Sequence, residues 1–261
     1  YRLGEYQGDL RVLSYTGDTG WGAVPEAGRA PSPARLTVLR ERAGEALLQT
    51  VATLPNAARP APLGKPGEQV FAVRFVGDRG YVVTFRRTDP LYVLDLSDPA
   101  DPRATGELEV AGFSEMLFPL ANGLLLGVGR DADALGRATG LKVALFDVAD
   151  PSQPRQRASL SLGAAGSTSA LDGSRHGLNL MAVGDVVRIA LPANLSASDY
   201  QDWRHGLQRL EVDTAARTLR DLGLLGATAD AGYVPMWLER SVQIGDWVYH
   251  LRDGQLASHA W

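Results

Sequence analysis

The feature that most constrains this chain is a turn that occurs twice. "VLDLSDPADPR" (Val93–Arg103) and "LFDVADPSQPR" (Leu145–Arg155) share a pattern. Asp95, Asp98, Pro99, Pro102 and Arg103 return 52 residues later as Asp147, Asp150, Pro151, Pro154 and Arg155. Three carboxylates as close as Asp95, Asp98 and Asp101 suggest acid/base or metal chemistry, but Gln153 replaces the third in the second copy. A turn is readily duplicated at a fixed period, whereas a catalytic pair rarely is. Proline fixes φ and lacks an N–H, and aspartate bonds its own downstream backbone. D-P-x-x-P therefore ends one strand and aims the next.

The rest of the chain reads as strands around such turns. Short apolar runs rich in Val, Leu, Tyr and Phe recur between Gly, Pro, Asp and Asn, which is strand and turn chemistry. Helical periodicity is scarce; Ser196–Leu210 could start with one helical turn. "AVRFVGDRGYVVTF" (Ala72–Phe85) reads as strand, tight turn, strand, and the pattern returns near Gly8–Asp9, Asn122–Gly123, Gly184–Asp185 and Gly245–Asp246. Glycine and asparagine tolerate the positive φ that tight hairpins need.

In the clearest unit the four strands are Val70–Val76, Gly80–Arg86, Leu91–Leu96 and Thr105–Val110. Third strands elsewhere are Leu36–Arg40, Lys142–Val148 and Leu207–Val212. Fourth strands are Leu47–Leu54, Gln156–Leu162 and Thr218–Leu225. The units fall at about 1–54, 70–110, 114–162, 176–225 and 238–261, the last having two strands and a third, Gln255–Trp261. The expectation is an all-β chain of about four and a half four-stranded antiparallel blades, a β-propeller. A two-sheet sandwich is the rival, and it leaves the repeated turn unexplained.

At this point the sequence resembles a known family. "FAVRFVGDRGYVVTFRRTDPLYVLDLSDPADPRATGELEVAGF" and "LLLGVGRDADALGRATGLKVALFDVADPSQPR" are similar to the secreted bacterial β-propeller domain family, distantly related to WD-repeat proteins. "LDLSDPADPR" also resembles the LVIVD-type repeat of bacterial surface propellers. The Gly-His pair and terminal Trp-Asp of WD repeats are missing. The resemblance covers Glu5 to Trp261 and corresponds to the family's C-terminal half. It implies an extracytoplasmic location (periplasmic, secreted or surface-attached) and no established catalytic activity. The first unit begins within its first strand and the last lacks a fourth, and an unpaired edge invites aggregation. The expectation is one part of a larger ring, completed by the remainder of its own propeller or by another chain.

Propeller connectivity puts the first-to-second and third-to-fourth strand turns on one face of the disc and the other connections on the opposite face. The long connections, Thr16–Arg35, Gly129–Gly140, Pro192–Gly206, Pro55–Gln69, Gly163–Arg175 and Gly226–Glu239, all belong to the second set. Long loops on a rigid scaffold are where binding concentrates. This face carries the candidate binding residues Trp21, Arg130, Asp131, Asp133, Arg137, Trp203, Arg204, His205 and Trp237, with tryptophan and arginine as common interface anchors. The expected partner is a protein or a cell-surface polymer.

Other chemistry has weaker support. "DADALGRATGLK" starts like a calcium loop with Asp131 and Asp133, but Lys142 stands where a bidentate glutamate is required. His176, His205, His250 and His259 form no H-x-x-x-H or H-E-x-x-H pattern. "GSTSA" (Gly166–Ala170) lacks the strand-to-helix setting of a serine elbow, so Ser167 or Ser169 with His176 is a poor triad. "GKPGEQ" (Gly64–Gln69) lacks phosphate-loop spacing. No catalytic residue, metal or cofactor is assigned. The alternative to a scaffold is a hydrolase with a site at the mouth of the central channel, which convergence there of His176, Asp131 or Glu239 with a hydroxyl or with one another would favour. The net charge of −4 gives no reason to expect nucleic acid. There is no cysteine, which removes disulfides and thiolate sites. No apolar run is long enough to span a membrane as a helix.

Overall fold

The computed structural model describes residues 2–15, 34–65, 68–85, 89–133, 135, 137–198, 200–229, 236 and 238–261. The first sheet comprises β1 (Leu3–Tyr6), β2 (Asp9–Tyr15), β3 (Ala34–Glu41) and β4 (Leu48–Leu54). The second comprises β5 (Gln69–Val76), β6 (Arg79–Phe85), β7 (Asp89–Asp95) and β8 (Arg103–Val110). The third comprises β9 (Phe113–Leu120), β10 (Leu124–Ala132), β11 (Ala138–Asp147) and β12 (Arg155–Leu162). Each is a meander in sequence order with antiparallel neighbours. These are the all-β blades expected.

The fourth sheet departs from that pattern. It has β13 (Thr168–Ser169), β14 (Asn179–Val183), β15 (Val186–Ser198), β16 (Gln201–Asp213) and β17 (Thr218–Ala229). Both β13 and β14 pair with β15, at Ala193–Asn194 and Val186–Ala190 respectively. The first strand of this blade is thus split by two single 3-10 turns, Ala170–Asp172 and Arg175–Gly177. The fifth sheet comprises β18 (Arg240–Ile244), β19 (Trp247–Arg252) and β20 (Gln255–Ala260).

Turn chemistry sets the hairpins. Gly77, Gly184 and Gly245 have φ of +54°, +59° and +59°, the region a mirror-image turn needs at its first central position. The duplicated D-P-x-x-P turn is built alike both times. Asp98 Oδ1 accepts the Ala100 N–H at 2.9 Å, and Asp150 Oδ1 accepts the Ser152 N–H at 2.9 Å. Asp101 accepts from Arg103 Nε at 3.0 Å, and Gln153 accepts from Arg155 at 2.8 Å. Replacing Asp101 by Gln153 keeps the arginine contact, as a structural role requires.

In each of the first three blades the pairing of third and fourth strands slips once, between Val38 and Leu39, Val93 and Leu94, and Leu145 and Phe146. Such bulges add local twist. The residue paired just before the slip is always small: Ala52, Gly106 and Ala158. At Gly106 the reason is visible. A Cβ there would lie 2.2 Å from the Pro151 carbonyl oxygen and 2.8 Å from Pro154 Cδ. The second D-P-x-x-P turn therefore rests directly on the outer strand of the preceding blade.

Apolar packing runs between consecutive blades. Leu36 and Val38 meet Val82 and Leu94; Val83 and Val93 meet Leu125 and Phe146; Val143 and Leu145 meet Ile189 and Leu210. Strands such as β11 are buried on both faces, which is why they lack polar alternation. The fourth-to-fifth interface is smaller, with Ala190, Leu207 and Val248 as its buried apolar members. Ion pairs add to the blade contacts. Asp147 accepts from Arg157 Nε at 2.9 Å and also binds Arg217 of the next blade. Burial pushes the Asp147 carboxyl up, but these bonds outweigh it and hold the group below the usual range.

The outward side of the fifth sheet carries exposed apolar side chains, with Ile244 63% and Leu256 67% accessible beside Val242 and Trp247. Among the described residues β20 has no further strand beside it.

Candidate functional site

The structure corrects the reading of the longest connections. Pro192–Gly206 is a paired ladder rather than a loop or a helical turn, with Ala193 opposite Gly206, Asn194 opposite His205 and Ser196 opposite Trp203. Likewise β10 and β11 extend to Ala132 and from Ala138 into the expected loop Gly129–Gly140. Ser196 closes the β15–β16 tip. Its hydroxyl lies 2.8 Å from both the Ser198 and Gln201 carbonyl oxygens and accepts the Gln201 N–H at 3.1 Å. Tyr200 takes φ +64° and Asp202 φ +50° in the reversal.

This tip is seated on the segment after β12. The Tyr200 N–H donates to the Ala165 carbonyl at 3.0 Å, and the Ala164 N–H donates to Ser196 at 2.7 Å. A Cβ on Gly166 would come within 2.6 Å of the Tyr200 ring and 3.1 Å of Trp203. Ser167 is buried, donates to the Ala164 carbonyl at 2.7 Å and accepts the Ser196 N–H at 3.0 Å. Among the described residues nothing brings the hydroxyl of Ser167 or Ser169 to His176. Arg130 is mostly buried, 2.7 Å from Asp172 and 3.7 Å from Glu115, and also donates to the Ser167 carbonyl.

The other candidates scatter. Asp131 accepts the Ser161 hydroxyl, and Asp133 accepts Arg137 Nε at 2.7 Å. Each of these carboxylates thus has its own protein partners. Arg204 is exposed and Trp203 half-buried, so they stay available with Arg137 on the surface. Trp21 and Trp237 lie outside the described residues. His205 is not a surface residue at all. It is fully buried between the fourth and fifth sheets, because the long β16 continues inward through it.

There it meets two residues that sequence reasoning did not join to it. His205 Nε2 lies 3.0 Å from Glu239 Oε2 and 2.8 Å from Oε1, and His250 Nε2 lies 2.9 Å from Oε2. Burial alone would raise the Glu239 carboxyl; the bonds from His205 and His250 outweigh it and lower it from 4.5 to about 2. His205 Nδ1 is buried without a partner. A bare lone pair there is less costly than an orphaned N–H, so we assign the Nε2–H tautomer from the network. The distances are those of hydrogen bonds. Among the described residues no group of three or more His, Asp or Glu side chains is arranged to hold a metal ion.

A cavity of about 490 Å³ opens against the first strands of the blades. Arg74 comes from β5, Glu115 from β9, Arg2 from just before β1, and Arg175 with His176 from the 3-10 turn that splits the fourth blade's first strand. Phe71, Met116 and Phe118 supply apolar wall. Burial raises the Glu115 carboxyl, Arg130 opposes that and Asp172 reinforces it. The signal missed in the sequence is a single charge inside an apolar run: Arg74 in "FAVRFV" and Glu115 in "FSEMLF".

The chain is similar to known proteins in part. It is 43% identical over 90 residues to an uncharacterized protein of Methanocaldococcus jannaschii, and 44% identical over 90 residues to one of Archaeoglobus fulgidus. Each match covers 34% of this chain and only 14% of the archaeal relative. Among solved structures, Sqt1 of Saccharomyces cerevisiae has a TM-score of 0.37 at 11% identity, covering 96% of this chain and 79% of that one. The GH32 β-fructofuranosidase BmSUC1 of Bombyx mori has a TM-score of 0.37 at 12% identity, covering 95% and 53%. The family described as the beta propeller domain matches residues 1–261 in full. With consecutive four-stranded meanders packed face to face, this chain belongs to the β-propeller domain family.

Proposed function

We propose that this chain is a non-enzymatic scaffold that binds a protein partner through the face bearing the β15–β16 tip. The observation that carries the reading is the seating of that tip. Tyr200 is 69% exposed, yet its backbone is held by Ala165 and its ring lies against Gly166. A pre-ordered aromatic that shares the Gly166 seat with Trp203 loses little freedom on binding, and such residues anchor interfaces. A location outside the cytoplasm rests on the family resemblance of the sequence. Capture from cell envelope by the wild type, against Tyr200→Ala/Arg204→Ala, tests this. We expect at least about a tenfold loss, roughly 1.4 kcal/mol, with an unchanged circular dichroism spectrum. Equal capture by both forms, or none by the wild type, counts against it.

On the same reading the uncovered face of the fifth sheet packs against a further blade of the same propeller. The support is continuity, since the interfaces between consecutive blades are apolar and Val242, Ile244 and Trp247 offer more of that surface. In a protein carrying that blade, Trp247 emission should shift to the blue, read as the difference from Trp247→Phe. An emission identical to that of this chain alone would argue otherwise.

A further inference from the structure

Four cationic or protonatable side chains, Arg2, Arg74, Arg175 and His176, line the cavity on the first strands, against one carboxylate, Glu115. That local excess runs against the whole chain, whose net charge is −4. It is also assembled from three separate segments, which a solvated charge run on one loop would not require. Arg74 is exposed and makes no ion pair among the described residues. Arg2 is held in place by donating to the Val70 carbonyl at 2.9 Å and by lying 4.2 Å from the Tyr15 ring centroid. That single hydrogen bond leaves most of its five N–H donors for a ligand. The carboxylate that could neutralise the site, Glu115, is 3.7 Å from Arg130, a guanidinium it shares with the nearer Asp172.

The cavity size falls in the usual range for small-molecule sites, roughly 300–1,000 Å³. Guanidinium forks match carboxylate and phosphate oxygens alike, while Phe71, Met116 and Phe118 favour a carbon skeleton. We infer that this cavity binds a small organic anion, with its acidic head toward Arg74 and Arg175 and its apolar body against Phe71 and Met116. The 3-10 turn that splits the fourth blade's first strand then has a purpose, since it carries Arg175 and His176 into the site.

Titration calorimetry with benzoate, phenyl phosphate, inorganic phosphate and benzylamine tests the inference. Benzoate or phenyl phosphate should bind at least tenfold more tightly than benzylamine, and the affinity should fall with salt. Which of the two binds better identifies the head group. Arg74→Gln, at an exposed position, should weaken binding at least tenfold. Glu115→Gln should tighten it severalfold, a gain that a misfolded variant could not produce. The inference is overturned if benzylamine binds as well as benzoate, or if none of the probes binds. It is equally overturned if inorganic phosphate matches phenyl phosphate, or if Glu115→Gln leaves the affinity unchanged or lower.

Discussion

Gly106→Val is expected to destabilise the chain by about 3 kcal/mol, the upper end of ordinary overpacking. The added side chain begins 2.2 Å from the Pro151 carbonyl oxygen, and the second obstacle is the Pro154 ring at 2.8 Å. Neither can swing aside. Pro151 and Pro154 have fixed φ, and the turn between them is braced by Asp150, which holds the Ser152 N–H at 2.9 Å. Valine is itself favoured in strands and would stabilise β8 if the neighbouring blade were absent. A loss of stability therefore reports the contact between blades rather than strand propensity. By calorimetry or urea unfolding the melting temperature should fall by roughly 6–12 °C, using about 2–4 °C per kcal/mol for a chain of this size. A change within about 0.5 kcal/mol, the range of neutral surface substitutions, would mean that the turn does not press on β8.

Glu239→Gln is expected to cost a similar amount and to change how stability depends on pH. Glu239 is 3% exposed, with His205 and His250 both directed at its carboxylate. Glutamine matches its shape but presents an amide N–H₂ on one side, so one histidine loses its acceptor in a buried setting. The carboxyl is lowered in the fold from 4.5 to about 2. Between those values the unfolded chain binds the proton and the folded chain does not, so stability rises with pH across that window. Its contribution is complete above about pH 4.5 and is lost as the pH falls toward 2. The size is about 3 kcal/mol, taking 1.36 kcal/mol per unit. Unfolding followed at the fifth sheet through Trp247, from pH 6 down to 2.5, should show this acid limb in the wild type. The limb should be flattened in Glu239→Gln. Parallel pH profiles for the two proteins would sink the assignment.

These two sites differ in how much the sequence revealed. Gly106 and the Asp150–Pro154 turn sit inside a repeat, and a repeat advertises structure because each copy solves the same geometric problem. The swap of Asp101 for Gln153 already argued against chemistry, and both residues bind the next-but-one arginine. The His205–Glu239–His250 cluster gave no such sign. Its members lie 34 and 11 residues apart and meet only because two blades pack. His205 looked like a loop residue because β15 and β16 outrun the usual strand length, and small polar residues such as Ser196 and Ser198 hide the pairing. The cavity arginines fall between these cases. Arg74 was visible as one charge in an apolar strand, but Arg175 needed the break in the fourth blade's first strand, which no residue pattern announced.

The apolar packing between neighbouring blades has an energetic corollary. Where units touch only those beside them, stability is a sum of intrinsic and nearest-neighbour terms rather than a single global quantity. The fifth sheet meets the fourth through a small apolar cluster of Ala190, Leu207 and Val248 and mainly through polar contacts, among them the Glu239 cluster, Ser241 to the Ala190 carbonyl, Gln243 to Asn179 and Trp261 to Glu211, whereas the third and fourth share a far larger apolar seam. In such a sum the fifth blade, with the smallest apolar seam, is the one expected to open first while its predecessors stay folded. The charge state of one buried glutamate sets how often it does so.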